Sequence, residues 1–267
     1  MADVETFTIP AGFSLLSGEQ LDPGAFLAFQ THGTLNQSGS NAILWVTCYN
    51  QRHVEMAPMI GDGQRFDPTA TGHFLITVNM PGNGISWSPT TPDTHWPKGG
   101  LSYHDSAAMV QLLVSSLGVE RLALIYGFSM GAMFALEYCT QFPRGAAAAV
   151  VVCGSAKTNP ANEFFLRTLH DTLRIDPTAE VDDDGEIRGF GGNPRPAGME
   201  DFASVYADWV LDGPREGGPS PNSSRPSYAA AKPGARCYPE GLYKAQFGVV
   251  RVGLHRMCTY PSPLLLP

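Results

Sequence analysis

The sequence predicts an α/β protein built on a mostly parallel β-sheet with flanking helices. Three observations carry that expectation. Residues 74–79 (FLITVN), 121–126 (RLALIY) and 146–153 (AAAAVVVC) have almost no polar face, and such strands belong in a sheet covered on both sides. Segments of helical period stand between them. A Gly-x-Ser-x-Gly run lies where one of these strands passes into a helix.

In chain order, residues 25–30 (AFLAFQ) and 41–49 (NAILWVTCY) read as strands parted by a turn cluster at 36–40. The strand at 74–79 is stopped by Met80-Pro81-Gly82-Asn83-Gly84. Over 103–117 the residues Ala107, Met109, Val110, Leu112, Leu113 and Leu117 recur at helical spacing, and Gly118 suits the position after a helix end. Residues 121–126 form a buried strand, 130–141 a helix stopped by Phe142-Pro143, and 146–153 another buried strand. Residues 164–174 look helical. Together these elements make residues 1–175 one N-terminal block.

Beyond it the pattern weakens. Residues 176–212 contain an acidic run at 182–186 and an amphipathic stretch at 200–211 (EDFASVYADWVL). Residues 213–239 are crowded with Gly, Pro and Ser; they bury too little apolar surface to offset their ordering entropy, so disorder is expected. Residues 240–267 are a tail with a weak helical look at 241–248, a possible strand at 247–254 and a proline-bracketed end.

A chain of 267 residues can build one large α/β domain without disulfide staples. Its net charge of -8 provides no basic stripe for phosphates, which argues against a nucleic-acid partner. No apolar run reaches the length of a membrane span, and the first residues lack the basic flank and apolar stretch of a secretion signal. Cys48, Cys139, Cys153, Cys237 and Cys258 are scattered and odd in number, without metal-binding spacing. Free thiols, no metal site and a cytoplasmic setting are therefore expected. Cys139 and Cys153 lie in apolar segments as small core residues.

The chemistry concentrates at Gly127-Phe128-Ser129-Met130-Gly131. A serine on a sharp strand-to-helix turn needs small residues two before and two after it, so that both backbones can close around it. Gly127 and Gly131 meet that need, and Ser129 becomes the predicted nucleophile of a nucleophile elbow. The turn lifts its hydroxyl at the carboxyl end of the sheet, beside the positive end of the next helix. There the Met130 N–H points at the place a substrate oxyanion would occupy. The fold with this motif is the α/β-hydrolase fold, and it takes a second oxyanion donor from the loop after an earlier strand. That loop is Thr47-Cys48-Tyr49-Asn50, with Cys48 and Tyr49 both candidates.

The turn Thr31-His32-Gly33-Thr34-Leu35-Asn36, the runs 40–44 (SNAIL), 75–79 (LITVN) and 117–123 (LGVERLA), and 127–137 (GFSMGAMFALE) together have a specific likeness. They resemble the homoserine O-acetyltransferase branch of the α/β-hydrolase superfamily. That family commonly reads GGSMGGMQALEW at the elbow; Phe128, Ala132, Phe134 and Tyr138 depart from it, in the manner of a divergent subgroup. The resemblance implies a helical lid after the strand at 146–153, its start falling in 176–212. It implies acyl transfer through an acyl-Ser129 intermediate, from a small-molecule acyl donor to an alcohol, with acyl-CoA as the co-substrate. No resident cofactor is implied, and a homodimer through lid helices is.

A serine hydroxyl becomes a nucleophile when a histidine takes its proton and a carboxylate orients that histidine. In this fold the chain order is Ser, Asp, His. After Ser129 only His170 and His255 remain; His170 falls in the helical stretch at 164–174, so His255 is the remaining candidate base. The last aspartates, Asp208 and Asp212, sit by the YADWVL stretch rather than at a strand end. The expectation is that the triad acid and base are missing and that the fold is incomplete at its C-terminal end. Residues 206–209 and 240–246 resemble lid-helix fragments separated by the Gly/Pro/Ser tract, the pattern of a truncated or mis-spliced product. Three functions follow: an acyltransferase, a carboxylesterase-type hydrolase acting on an ester substrate, or an inactive scaffold. Among the earlier histidines, His53 is placed near a pocket, His104-Asp105 at a helix start where capping is expected, and His32 in a structural turn.

Overall fold

The most apolar runs pair with one another in the middle of one sheet. A computed structural model describes residues 4–181 apart from 50, 98 and 159, together with 187–189 and 250–252. His255, Asp208, Asp212, Cys237, Cys258 and the stretches 200–211 and 213–239 lie outside the described residues. The chain divides into two compact units, one of 1–156 with 247–267 and one of 157–246. The second contains helix α5 (Pro160–Arg174), with a Glu163–Arg167 pair at 2.8 Å along one face, and the antiparallel strands β7 (Glu180–Val181) and β8 (Ile187–Gly189).

The first unit holds β1 (Glu5–Thr8), β2 (Phe26–His32), β3 (Ala42–Val46), β4 (Phe74–Val78), β5 (Leu122–Phe128), β6 (Ala149–Val152) and β9 (Val250–Val252). They form one sheet in the order β1-β2-β4-β3-β5-β6-β9. Strands β4, β3, β5 and β6 run parallel in the middle, where the most apolar runs stand, while β1, β2 and β9 add antiparallel pairings towards the edges. The α/β class and the mostly parallel sheet are thus as the apolar runs indicate.

Side chains alternate across the sheet. Leu44, Val46, Ile76, Val78 and Ile125 enter the larger core with Val110 and Leu113 of α3 (Tyr103–Ser116) and Phe134, Ala135 and Tyr138 of α4 (Met130–Gln141). Trp45, Leu75 and Tyr126 point the other way, with Met56 and Phe66; the Trp45 and Phe66 rings stand 4.5 Å apart. Met56 belongs to the short helix α1 (His53–Met56), and a second short helix, α2 (Pro68–Thr71), precedes β4.

Helix α3 begins on a reciprocal cap: the Asp105 N–H donates to Ser102 Oγ, and the Ser102 N–H donates to the Asp105 carboxylate. The same carboxylate accepts from Leu16 N–H at 2.7 Å and ties the N-terminal loops to the helix. Gly118, at φ 79°, closes the other end. Strand β1 is a difference from the sequence reading, because four half-polar residues at an exposed edge carry no periodic signal. Strand β5 runs two residues past RLALIY, since Gly127 and Phe128 continue the ladder opposite Val151 and Val152. Among the described residues no helix is long and apolar enough to cross a membrane.

Candidate active site

Strand β5 ends at Phe128 and α4 starts at Met130, so a single residue makes the turn. Ser129 takes φ 52° and ψ -116°, a region that costs a residue with a side chain about 1–3 kcal/mol. The surroundings hold it there. Its N–H donates to Val152 O on β6 at 2.8 Å, and its carbonyl accepts from the N–H groups of Ala132 and Met133 at 3.0 and 3.2 Å. The side chain does not cap the helix, so among the described residues the turn leaves the hydroxyl uncommitted. The amides of Met130 and Gly131, ahead of those of Ala132 and Met133, have no intrahelical acceptor and present the positive end of the helix there.

Close approach requires a glycine at 127 and leaves little room at 131. A Cβ on Gly127 would stand 2.1 Å from Gly131 O and 2.7 Å from Ala132 Cα. A Cβ on Gly131 would lie 3.1 Å from Val46 O and 3.3 Å from Thr47 O, which shows how tightly α4 packs on the start of the loop after β3. The elbow and the candidate oxyanion loop are therefore neighbours.

That loop is firmly held. Thr47 N–H donates to Val78 O at 3.0 Å, and Thr47 Oγ1 accepts from Met80 N–H at 2.9 Å. Cys48 N–H donates to Gln51 Oε1 at 3.0 Å, while the Gln51 N–H returns to Cys48 O at 3.2 Å. Burial pushes the Cys48 thiol up from its ordinary value, so it stays protonated near neutral pH. The Tyr49 and Phe128 side chains are both exposed, at 47% and 42%.

The structure thus brings Ser129, Met130, Gly127 and Gly131 together with the loop of Cys48 and Tyr49. His255 lies outside the described residues; β9, which precedes it, ends with Val252 opposite Ala149, at the end of β6 farther from Ser129. Among the described residues the imidazoles engage other groups: His104 bonds Glu137 at 3.1 Å, His95 faces Glu19 and His170 faces Asp171. His32 Nε2 and His73 Nδ1 are buried without a hydrogen bond, and burial pushes the His32 imidazole down. His53 is buried and hydrogen-bonded to Asn79. A cavity of about 200 Å³ beside Ile43, Phe66, His73 and Leu75 lies at the amino ends of β3 and β4, away from the elbow. No group of three His, Cys, Asp or Glu side chains placed to hold a metal occurs among the described residues.

Sequence reasoning missed a polar network at the ends of β3 and β4. Asn79 Nδ2 donates to Ala28 O at 3.1 Å, Asn79 Oδ1 accepts from His53 N–H at 3.0 Å, and Asn83 Nδ2 reaches both Asn79 Oδ1 and Gln51 O, at 3.1 and 3.3 Å. Its signal was two asparagines bracketing the turn that stops FLITV.

Comparison with known proteins agrees with this geometry. A profile of the α/β hydrolase fold matches residues 60–183. The chain is 32% identical over 196 residues to an ethyl acetate hydrolase of Pseudomonas veronii, covering 72% of this chain and 53% of the relative. It is 32% identical over 178 residues to a homoserine O-acetyltransferase of Pelobacter propionicus, covering 58% and 47%. The crystal structure of an acetylester hydrolase from Corynebacterium glutamicum superposes with a TM-score of 0.66 at 28% identity, over 78% of this chain and 59% of that one. The chain spans about half the length of the curated relatives it matches.

Proposed function

From the premise that the chain belongs to the α/β-hydrolase superfamily, we propose that it performs acyl transfer through an acyl-Ser129 intermediate on small acyl esters. The observation that carries this reading is the turn at Ser129, strained and yet leaving its hydroxyl uncommitted beside the first amides of α4.

In the reaction, Ser129 Oγ attacks the acyl carbonyl and loses its proton to a base. The carbonyl oxygen becomes an oxyanion, stabilised by the Met130 N–H and by a second amide from the loop after β3. The C–O bond to the leaving alcohol then breaks, the alcohol departs with the proton, and the acyl group stays on Ser129. Water completes hydrolysis; an alcohol completes transfer. For the base, His255 is the candidate the chain order offers. The esterase relatives favour water as the acceptor, and the exposed rings of Phe128 and Tyr49 suit a small apolar acyl group. The homoserine O-acetyltransferase relative supports a second reading, in which the acceptor is an amino-acid hydroxyl and the donor an acyl-CoA.

Incubation with p-nitrophenyl acetate, followed by intact-mass measurement, tests the first step. A single acetyl adduct that disappears in Ser129→Ala is expected. Adding acetyl-CoA with homoserine separates the two acceptors, since only a transferase makes the homoserine ester. A soluble protein that never acquires the adduct would remove the catalytic reading and favour a scaffold.

A further inference from the structure

Phe128 is the one exposed residue of β5, at 42%, and it immediately precedes Ser129. Strand alternation fixes the side on which its ring leaves the sheet. Gly127 faces α4, since a Cβ there would stand 2.7 Å from Ala132 Cα. Tyr126 points the other way, edge-on to the rings of Trp45 at 5.4 Å and Phe66 at 5.5 Å. Phe128 therefore shares the Tyr126 side of the sheet and lies beyond it, at the carboxyl edge. The three packed rings fill the inboard part of that face, and the Phe128 ring is left its outer end. The backbone holds it there: Phe128 pairs opposite Val152, and the next amide, Ser129 N–H, donates to Val152 O at 2.8 Å.

The chemistry gives that side its importance. In the tetrahedral intermediate at Ser129 the oxyanion is drawn to the Met130 N–H at the start of α4, on the Gly127 side. The other substituents of the reacting carbon, the acyl chain among them, extend away from that amide, toward the Phe128 side and solvent. We infer that Phe128 is a specificity-determining residue, a contact surface that favours uncharged apolar acyl chains of a few carbons. The physical basis is burial: an apolar chain laid on an exposed ring takes apolar area of both out of water. The role rests on the acyl-Ser129 reading above and names the substrate class of that same site.

The test uses the full chain and the p-nitrophenyl esters of acetate, propionate and butyrate, with kcat/KM for each and the butyrate-to-acetate ratio as the readout. Full burial of a methylene gives about fourfold; a ring that covers one side of the chain contributes roughly half that free energy, about twofold. The parent ratio is therefore expected to be about fourfold over two methylenes. Phe128→Ala is expected to bring the ratio close to unity, whereas Phe128→Leu, which keeps an apolar surface, should hold most of it. A general structural defect slows both esters together and leaves the ratio alone. Should Phe128→Ala turn over too slowly to measure, Phe128→Thr carries the test, because it suits a strand while replacing apolar surface with a hydroxyl. A ratio near unity in that variant supports the role, and the parent's ratio overturns it. Equal ratios in the parent and Phe128→Ala, or a Phe128→Leu ratio as low as that of Phe128→Ala, also overturn it. Absence of Ser129-dependent turnover in the parent, with Ser129→Ala as the control, instead sinks the acyl-enzyme reading, and the specificity role with it.

Discussion

Replacing Gly127 by alanine probes the elbow at its tightest point. The added methyl would lie 2.1 Å from Gly131 O and 2.5 Å from the carbon of that carbonyl. Both distances are at least 1 Å inside the ~3.5 Å at which non-bonded heavy atoms rest. Every atom in the way belongs to the backbone of α4, so no side chain can swing aside. The strand and helix must part by about 1 Å, a displacement that at a nucleophile costs on the order of 100-fold in rate. Overpacking should also lower stability by about 1–3 kcal/mol. Gly131→Ala is the internal contrast: its nearest neighbours would be 3.1 and 3.3 Å away, so shifts of a few tenths of an ångström suffice and the loss should be under about tenfold. The assay is the rate of fluorophosphonate labelling at Ser129, with urea unfolding of the same samples. Parent-like labelling and stability in Gly127→Ala would refute the geometry of the turn.

Ser129→Gly should be more stable than Ser129→Ala by about 1 kcal/mol, because glycine relieves the strain at φ 52° and gives part of that gain back through the entropy of the unfolded chain. Urea midpoints check this, and equal midpoints would mean the backbone there is relaxed. Cys139, buried in the core, has its thiol pushed up to about 11 from 9.0 by desolvation. The folded protein therefore keeps a proton that the unfolded chain releases between pH 9 and 11. The stability this contributes is fully present below pH 9 and is lost as pH rises through 11, amounting to about 2–3 kcal/mol. Against Cys139→Ala, the parent should lose stability more steeply over that interval. The Tyr138 phenol, pushed up chiefly by burial, is present in both proteins; parallel pH profiles would contradict the assignment.

Much of the first unit was legible because its signals are local. Residues 130–141 form the helix their composition indicates, and Gly118 stands at a positive φ just past α3, as a helix terminator should. The His104-Asp105 pair was legible only in part. Asp105 caps α3, whereas His104 reaches across to Glu137 on α4, a contact between residues 33 apart in sequence. Strand β1 was not legible at all, since its pairing with β2 rests on backbone hydrogen bonds that any four residues can make.

The sequence by itself determined where a hydroxyl could be lifted from a sheet, since Gly127 and Gly131 are chemical facts about which positions lack a Cβ. It also determined the class of fold, because apolar periodicity survives without knowledge of partners. The direction of each amide around that hydroxyl was decided by tertiary structure alone. Gln51, Asn83 and Asn79 converge on the loop of Cys48 and Tyr49 from separate segments. Hydrogen bonds between distant residues depend on where the sheet brings chain ends together, and no local pattern encodes that.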